Sequence, residues 1–519
     1  MRRVLVLLTA LSLAGALAAP AAALAASAAS LAAPANVYLG HTVSVAGPNG
    51  TDDTANIQAA LDWCSKHSGP GCTVQLQKGT YKIQQLVGTG FSGTFRGMGM
   101  GVTTLSALPD LKVNAPDLGG TTCLPTEVSI GTCLWPVVLN FVDGTFEISD
   151  LSLDIPAKNS DETETYTLGG YSTIGIFAAI NLIDYTHQDA VLDRVSVSGR
   201  NDDTAPNMPG FNTVYGINQF VWAPTGTSSA TGSFTLRDSS VRTVAVAVSP
   251  GPEFNALRVT IKGNTLSGVF KGIMSGEGPS GVFEISHNRI GADNLDTTER
   301  DHYGIFIAPT GLETGVASRF SIHDNVITVA DTCGCSMFGI VLLGAVWGAP
   351  NWFTATVVNN AISLTSPGTL VMLPDNWKDG IQLNNTIGTM VIANTIAATS
   401  ATGAGEAIGI FGQNAYWGVE GSPAAAQNVV VGNNVRGFAP QGTPIDSTYW
   451  PGLGTSQYYL DPNTTNNLVV CTRRSDTLVD WGTGNKQIGC DPSTATPKAA
   501  VGTPAPASRL RLTAKPLLP

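Results

Sequence analysis

The sequence predicts an all-β fold in which one strand-and-turn unit repeats as a parallel solenoid. A first phrase recurs along the chain: an apolar residue, two others, an asparagine, any residue, and an apolar residue. A second phrase, glycine followed by alternating apolar residues, interleaves with it at Gly175, Gly216, Gly272, Gly304, Gly339, Gly380 and Gly409. Because both phrases have the two-residue period of a β-strand and keep a fixed order, they indicate repeated coils of parallel strands.

The asparagine of the first phrase marks a turn between two inward-facing apolar positions. Asparagine accepts the left-handed backbone conformation that such a sharp bend needs. Successive asparagines are 24, 37, 35, 34 and 39 residues apart, a spread that fits fixed strands joined by variable loops. We expect about nine or ten coils from the phrase count. We also expect one stack of hydrogen-bonded amides, formed by Asn264, Asn288, Asn325, Asn360, Asn394 and Asn433.

The segment before the repeats carries a resemblance to a known family. It reads Asp-Asp-Thr-Ala-Asn-Ile-Gln-Ala-Ala-Leu over residues 52–61, then Cys-Thr-Val-Gln-Leu from Cys72 and Gly-Thr-Tyr-Lys-Ile from Gly79. With the asparagine turn, this segment resembles the pectate-lyase-like right-handed parallel β-helix superfamily, over about residues 37–470. The resemblance implies a single right-handed parallel β-helix that acts on polysaccharide. The apolar spacing over residues 53–66 predicts a short N-terminal capping helix.

Three segments make up the predicted domain organisation. Arg2 and Arg3 precede an apolar run with small-residue cleavage sites, so residues 1–28 are predicted to be a secretory signal peptide. Residues 37–490 form the β-helix domain with its cap and loop insertions. Residues 491–519 are rich in proline, alanine and threonine and are predicted to be a disordered tail. We therefore expect a secreted protein, either extracellular or periplasmic.

Charge and cysteine content narrow the classes of partner. The formal net charge of −11 argues against nucleic acids and anionic membranes. It also disfavours a polyanionic glycan, unless Ca²⁺ bridges the like charges; we expect no other cofactor and no metal site. The eight cysteines of an exported chain favour disulfides. The predicted pairs are Cys64–Cys72, Cys123–Cys133 and Cys471–Cys490, whereas the pairing of Cys333 with Cys335 stays open.

Aligning the glycine phrases places one outward residue per coil in a column with a spacing of about 4.8 Å. Polygalacturonase-type hydrolases carry aspartates on such a face, in Asn-Thr-Asp and Gly-His-Gly motifs, and neither motif is present. The column is mostly apolar and aromatic, which suits either stacking against sugar rings or burial under a loop. Its members are Phe177, Asn218, Met274, Phe306, Val341, Gln382 and Phe411.

Ionisable residues cluster in the segments that lead into three of the glycine strands. Asp301 and Asp379 are two coils apart, so we expect a separation of about 10 Å, near the upper range for an inverting carboxylate pair. Glu406 is a third candidate carboxylate, and His302 a candidate proton carrier. The alternative is a set of solvated loop charges. The candidate substrate-binding residues are Arg300, Tyr303, Phe306, Trp377, Lys378 and Gln382.

Two weaker groups of polar residues lie elsewhere. Asp184, His187 and Asp189 have the composition of a cation site but no informative spacing. His287 and His323 lie beside turn asparagines, where we expect them to be surface residues of the turn without a catalytic role.

The sequence thus predicts a secreted protein that binds polysaccharide and cleaves it, by hydrolysis or by β-elimination. The missing hydrolase motifs favour the alternative of a non-catalytic extracellular adhesin or surface-binding protein.

Overall fold

A computed structural model describes most of the predicted solenoid. The described residues are 35–67, 71–108, 137–156, 166–168, 171–173, 176–200, 212–221, 231–252, 256–275, 280–293, 301–308, 318–330, 336–344, 353–365, 378–399, 405–412, 425–438, 445–446, 451–453 and 456–492. The predicted signal peptide, nearly all of the predicted tail, and Cys123, Cys133, Cys333 and Cys335 lie outside them.

Three parallel faces, here called sheets 1, 2 and 3, form the wall of the solenoid, and each coil passes through them in that order. Two long strands, Val137–Asp154 and Ile176–Ser198, each run through sheet 3 and then through sheets 1 and 2 of the next coil. Sheet 1 otherwise contains Thr42–Ser44, Cys72–Gln75, Gly93–Arg96, Thr231–Arg237, Ala256–Lys262, Ser280–Ser286, Ser318–His323, Phe353–Val358, Met390–Ile392, Val429–Val431, Leu468–Val470 and Lys486–Ile488. Sheet 2 contains Gly79–Ile83, Thr103–Ala107, Ser240–Arg242, Thr265–Ser267, Arg289–Ala292, Val326–Ala330, Ala361–Thr365, Thr395–Ala398 and Asn434–Arg436. Sheet 3 contains Leu86–Thr89, Thr213–Val221, Val246–Pro252, Lys271–Ser275, Asp301–Ile307, Ser336–Leu343, Lys378–Asn384, Glu406–Phe411, Ser456–Leu460, Thr477–Asp480 and Asp491–Pro492.

Each strand of these sheets pairs in parallel with the strand one coil further along, which confirms the predicted parallel β-helix. The expected nine or ten coils are too few, since sheet 1 alone contains more strands than that. The count failed because coils at both ends, such as those of Thr42–Ser44 and Lys486–Ile488, lack the asparagine phrase. Four short pairs lie beside the wall: Val37–Leu39 on Thr42–Ser44, Tyr166–Leu168 on Tyr171–Thr173, Ala425–Ala426 on Thr464–Thr465, and Ile445–Asp446 on Pro451–Leu453.

The helix α1, Thr54–His67, lies against the first coils as the predicted cap. Its buried face is formed by Ile57, Ala60, Leu61 and Cys64. The Cys64–Cys72 disulfide joins the helix to the first strand that follows it, and Cys471–Cys490 closes the last coils. Among the described residues, no helix is both long and apolar enough to span a membrane.

The glycine phrase has a packing cause. A Cβ atom on Gly304 would lie 2.3 Å from Cγ2 of Ile327 in sheet 2 and 2.5 Å from the carbonyl oxygen of Gly339 in the next coil. Only glycine fits where sheets 2 and 3 approach so closely. The following isoleucines fill the interior, where Ile305, Ile340 and Ile381 are fully buried and in register.

The predicted amide stack is present along the turn between sheets 1 and 2. Each side-chain Nδ2 donates to the Oδ1 of the asparagine in the next coil, at 2.9–3.0 Å. The conformational argument for these asparagines was wrong. The left-handed residue is the one that precedes each of them, as at His287 (φ 57°), Asp324 (φ 56°) and Asn359 (φ 54°). That preceding residue makes the bend, so the asparagine side chain can turn inward into the stack.

Two shorter amide stacks were not predicted. Asn428 donates to Asn467, which donates to Asn485, each at 3.0 Å. A second set lies on sheet 3, where Asn218 donates to Asn181 and Asn181 to Asn140. The segments 137–142, 178–183 and 425–430 also fit the apolar phrase, so the phrase alone does not separate the long stack from the shorter ones.

Candidate active site on sheet 3

Four of the predicted site residues begin strands of sheet 3, and all four are buried. The exposed fractions are 0% for His302, 3% for Lys378, 2% for Asp379 and 0% for Glu406. The sequence-based alternative of solvated loop charges is therefore wrong for these four. Strand pairing, rather than a loop, fixes the backbone at each of them.

The carboxyl groups that the structure brings together are Asp379 and Glu406, on neighbouring coils. Ile381 pairs with Ile408, so Glu406 lies one coil along from Asp379 at the same level of the sheet. The backbone N–H of Glu406 donates to Oδ1 of Asp379 at 3.2 Å. Neither carboxyl oxygen of Glu406 accepts a hydrogen bond from any described residue. The two side chains hydrogen-bond with each other within an otherwise apolar environment.

Asp301 and Asp379 lie at different levels of sheet 3, as their different distances from Gly304 and Gly380 imply. Asp301 pairs with Ser336, whereas Asp379 pairs with Phe338, two residues further along the same strand. Glu406 comes level with Asp379 because the glycine phrase at Gly409 is displaced: Gly409 pairs with Gln382, not with Gly380. Only the backbone of Asp301 is described, and Arg300 and Trp377 lie outside the described residues.

Burial changes the acidity of the pair. It raises the pKa of Asp379 to about 6. Burial, and then the charge of Asp379, raises the pKa of Glu406 well above its usual value. A low-dielectric site disfavours two adjacent negative charges, so the pair holds a proton near neutral pH. With the lower pKa, Asp379 is the member that ionises first.

An apolar cluster covers the outer face of sheet 3 beside the pair, and we call it the outer cluster. It is separate from the interior core and comprises Tyr303, Phe306, Ala308, Phe338, Val341, Leu343, Phe411, Tyr459, Val479 and Trp481. The predicted binding residues Tyr303 and Phe306 are partly buried members of it. Gln382 pairs with Val341 on one side and with Gly409 on the other. Gly409 therefore occupies the place in the predicted column that was expected for Phe411.

Two members of the outer cluster were missed by the sequence analysis. Tyr459 pairs with Gly409 and packs against Phe411 at 5.4 Å and Trp481 at 5.6 Å, centroid to centroid. Burial, then the charges of Asp461 and Glu406, raises the pKa of the Tyr459 hydroxyl. The last coils lack the glycine phrase, so no local signal pointed to either residue.

His302 and Lys378 form a neighbouring row. His302 pairs with Met337, and Met337 with Lys378, so one coil separates the two basic side chains. The His302 ring stacks on Phe270, with 5.3 Å between centroids. Met337, between them in this row, belongs to the interior core, whereas Phe338, in the row of Asp379, belongs to the outer cluster.

Asp184 is a second buried carboxyl group of sheet 3, near the N-terminal end of the solenoid. Its exposed fraction is 0%, and neither of its oxygens accepts a hydrogen bond within the described part of the chain. Burial, then the charge of Asp143, raises its pKa to about 7. His187 and Asp189 contact each other at 2.9 Å on the surface. Among the described residues, the group whose donor atoms could hold a metal ion is elsewhere, at His287, His323 and Asp324.

Comparisons with known proteins fix neither a family nor an activity for the chain. No protein-family model matches the sequence, and no curated protein matches it. The mannuronan C-5 epimerase AlgE4 A-module of Azotobacter vinelandii is 14% identical, with a TM-score of 0.44 over 87% of this chain and 96% of that one. A family 28 exopolygalacturonase of Yersinia enterocolitica is 12% identical, with a TM-score of 0.39 over 82% and 79%. PfbA, a surface adhesin of Streptococcus pneumoniae, is 11% identical, with a TM-score of 0.39 over 76% and 90%. At such values we draw nothing about activity or substrate from them.

Proposed function

We propose that the protein is a secreted glycoside hydrolase that binds a polysaccharide along the outer face of sheet 3. The observation that carries the proposal is the buried pair of Asp379 and Glu406, whose pKa values are raised to different extents. Hydrolysis of a glycosidic bond needs one carboxylic acid and one carboxylate at the same site. A pair that retains one proton near neutral pH supplies both.

The roles of the two acids follow from their surroundings. Glu406, with the more strongly raised pKa, donates its proton to the leaving-group oxygen of the sugar. Asp379, ionised above about pH 6, acts as base toward water or as nucleophile toward the anomeric carbon. A β-elimination would instead need a basic side chain beside the sugar carbon; Lys378 is in a neighbouring row, which favours hydrolysis over elimination.

The aromatic residues of the outer cluster provide the binding surface once the groups that cover them move, since Phe338, Phe411 and Tyr459 are only 5%, 3% and 2% exposed. Tyr303 stacks on Phe338 at 4.9 Å and meets Phe306 edge-on at 5.0 Å, so these rings form a continuous apolar face. Such faces suit the apolar sides of sugar rings. The net charge of −11 and the acids of the site favour a neutral glycan over a polyanionic one.

Burial of the acid pair supports a second candidate function. Substrate can reach Asp379 and Glu406 only if the groups that cover them move when it binds. If that movement does not occur, the pair is a structural feature, and the protein is a non-catalytic extracellular polysaccharide-binding β-helix.

A panel of neutral and anionic polysaccharides tests the proposal. We expect new reducing ends on a neutral glycan without the ultraviolet absorbance of unsaturated ends, and loss of that activity in Glu406→Gln. Asp184→Asn is the matched control, because Asp184 is equally buried in the same sheet but distant from the pair. Unsaturated ends would instead show that the protein cleaves the glycan by β-elimination. Binding without turnover across the panel would favour the non-catalytic candidate.

A further inference from the structure

The turn between sheets 1 and 2 carries a mixed group of donor atoms on its outer side. His287 and Asp324 are left-handed residues that precede Asn288 and Asn325, so they occupy equivalent positions on successive coils. His323 adjoins Asp324, and the backbone N–H of His287 donates to the carbonyl oxygen of His323 at 3.2 Å. The repeat therefore places two imidazoles and one carboxylate from two coils side by side.

The geometry of the donor atoms is close to that of a metal site. One donor atom from each of His287, His323 and Asp324 lies within 4.8 Å of the other two. Oδ2 of Asp324 is 2.7 Å from Nδ1 of His323 and 3.9 Å from Nε2 of His287. Metal–ligand bonds of about 2.0–2.2 Å bring donor atoms to comparable separations. All three side chains are exposed or half-buried, so an ion has access and small rotations suffice.

Polar groups also lie behind two of the three ligands, Asp324 and His323. Asn359, on the third coil, donates through Nδ2 to Oδ1 of Asp324, the carboxylate oxygen that does not face the histidines. Oε1 of Glu284 is 4.0 Å from Nε2 of His323, the ring nitrogen opposite the one near Asp324. Metal-binding histidines and carboxylates are commonly oriented in this way by groups behind them.

From this arrangement we propose that His287, His323 and Asp324 bind a divalent first-row transition ion of the Zn²⁺ class. Two imidazoles and one carboxylate suit Zn²⁺ and its neighbours, whereas Ca²⁺ prefers six to eight oxygen ligands. The ion joins two successive coils of the solenoid across the asparagine turn. Glu284 and Asn359 are positioning residues that act through His323 and Asp324.

Zn²⁺ titration of the full chain, purified without a polyhistidine tag and freed of metal by chelation, tests the site. We expect one equivalent to bind, with affinity at least about 10-fold lower in His287→Asn and in His323→Gln. Asparagine keeps the left-handed conformation at position 287, and His323→Gln gives a second test if the first variant fails to fold. Asn359→Gly is expected to weaken binding by about 10-fold, since the ligands remain but Asp324 loses its positioning bond.

His187→Gln is the matched control, because His187 also contacts an aspartate on the surface but belongs to no described group of three donors. Its Zn²⁺ affinity is expected to equal that of the unchanged protein. Absence of stoichiometric binding would overturn the proposal, and so would binding that survives unchanged in both His287→Asn and His323→Gln. The result is independent of turnover, so it stands apart from the proposed hydrolase activity.

Discussion

Asn325 and Glu406 are both buried polar residues of the solenoid, at 1% and 0% exposure, and their surroundings differ. The Asn325 amide donates to Asn360 and to the carbonyl of Ile285, and its oxygen accepts from the backbone and side chain of Asn288. The oxygens of Glu406 accept no hydrogen bond from a described residue. The side chain of Glu406 hydrogen-bonds with that of Asp379 among the described residues, so it has fewer partners than the Asn325 amide, and burial is costlier on the sheet 3 face than in the turn.

This difference in hydrogen bonding distinguishes the asparagine stack, which is structural, from the acid pair, which is a candidate catalytic site. A repeated amide can satisfy its neighbours on both sides, so adding coils extends the stack at no cost in unpaired groups. A pair of carboxyls cannot donate to each other unless one is protonated, and burial favours that protonation. Buried titratable groups with strongly shifted pKa values occur more often at functional sites than elsewhere.

The largest expected effect is on turnover. Asp379→Asn and Glu406→Gln are each expected to reduce hydrolysis by about 100-fold or more, because each removes one partner of the acid–base pair. Reducing-end assays on the glycan identified by the panel measure this. Asn359→Gly, in the turn between sheets 1 and 2, should leave the rate unchanged. Equal losses of activity in all three variants would contradict a special role for the acid pair on sheet 3.

A second effect is on stability at the turn. Asn325→Leu is expected to lower the free energy of unfolding by about 1–3 kcal/mol, because it leaves partners on two adjacent coils unpaired. Denaturant unfolding measures the change. Asn359→Gly is the control: the position is exposed and left-handed, which glycine tolerates. An unchanged midpoint for Asn325→Leu would contradict the stabilising role of the stack.

A third effect is on the pH dependence of stability. The folded pKa of Asp379, about 6, lies above the ordinary value of 3.8. The folded state therefore binds this proton more tightly, and the contribution of Asp379 to stability falls as pH rises from about 4 to about 6 and stays lower above that. Asp379→Asn should flatten this part of the unfolding profile; a variant profile parallel to that of the unchanged protein would refute the assignment.

The fold was predictable because its causes are local and repeated. In each regular coil, a glycine such as Gly304 avoids a steric clash between sheets 2 and 3, and an asparagine such as Asn325 hydrogen-bonds to the next coil. The acid pair was only partly predictable: Asp379 and Glu406 were both named, but their partnership depends on register. The glycine phrase at Gly409 is shifted by two residues relative to that at Gly380, and this shift places Glu406 beside Asp379. The metal-ligand geometry at His287 depends on which turn residue is left-handed, and the apolar pattern does not encode that.

Infrared spectroscopy of protonated carboxyl groups at pH 7 tests the central claim most directly. In Asp184→Asn protein, which removes the other carboxyl whose pKa is raised to about 7, we expect a protonated-carboxyl carbonyl band that disappears on adding Glu406→Gln. That result shows that the pair on sheet 3 holds a proton at neutral pH. A spectrum with no such band, or a band that persists after Glu406→Gln, would contradict the account.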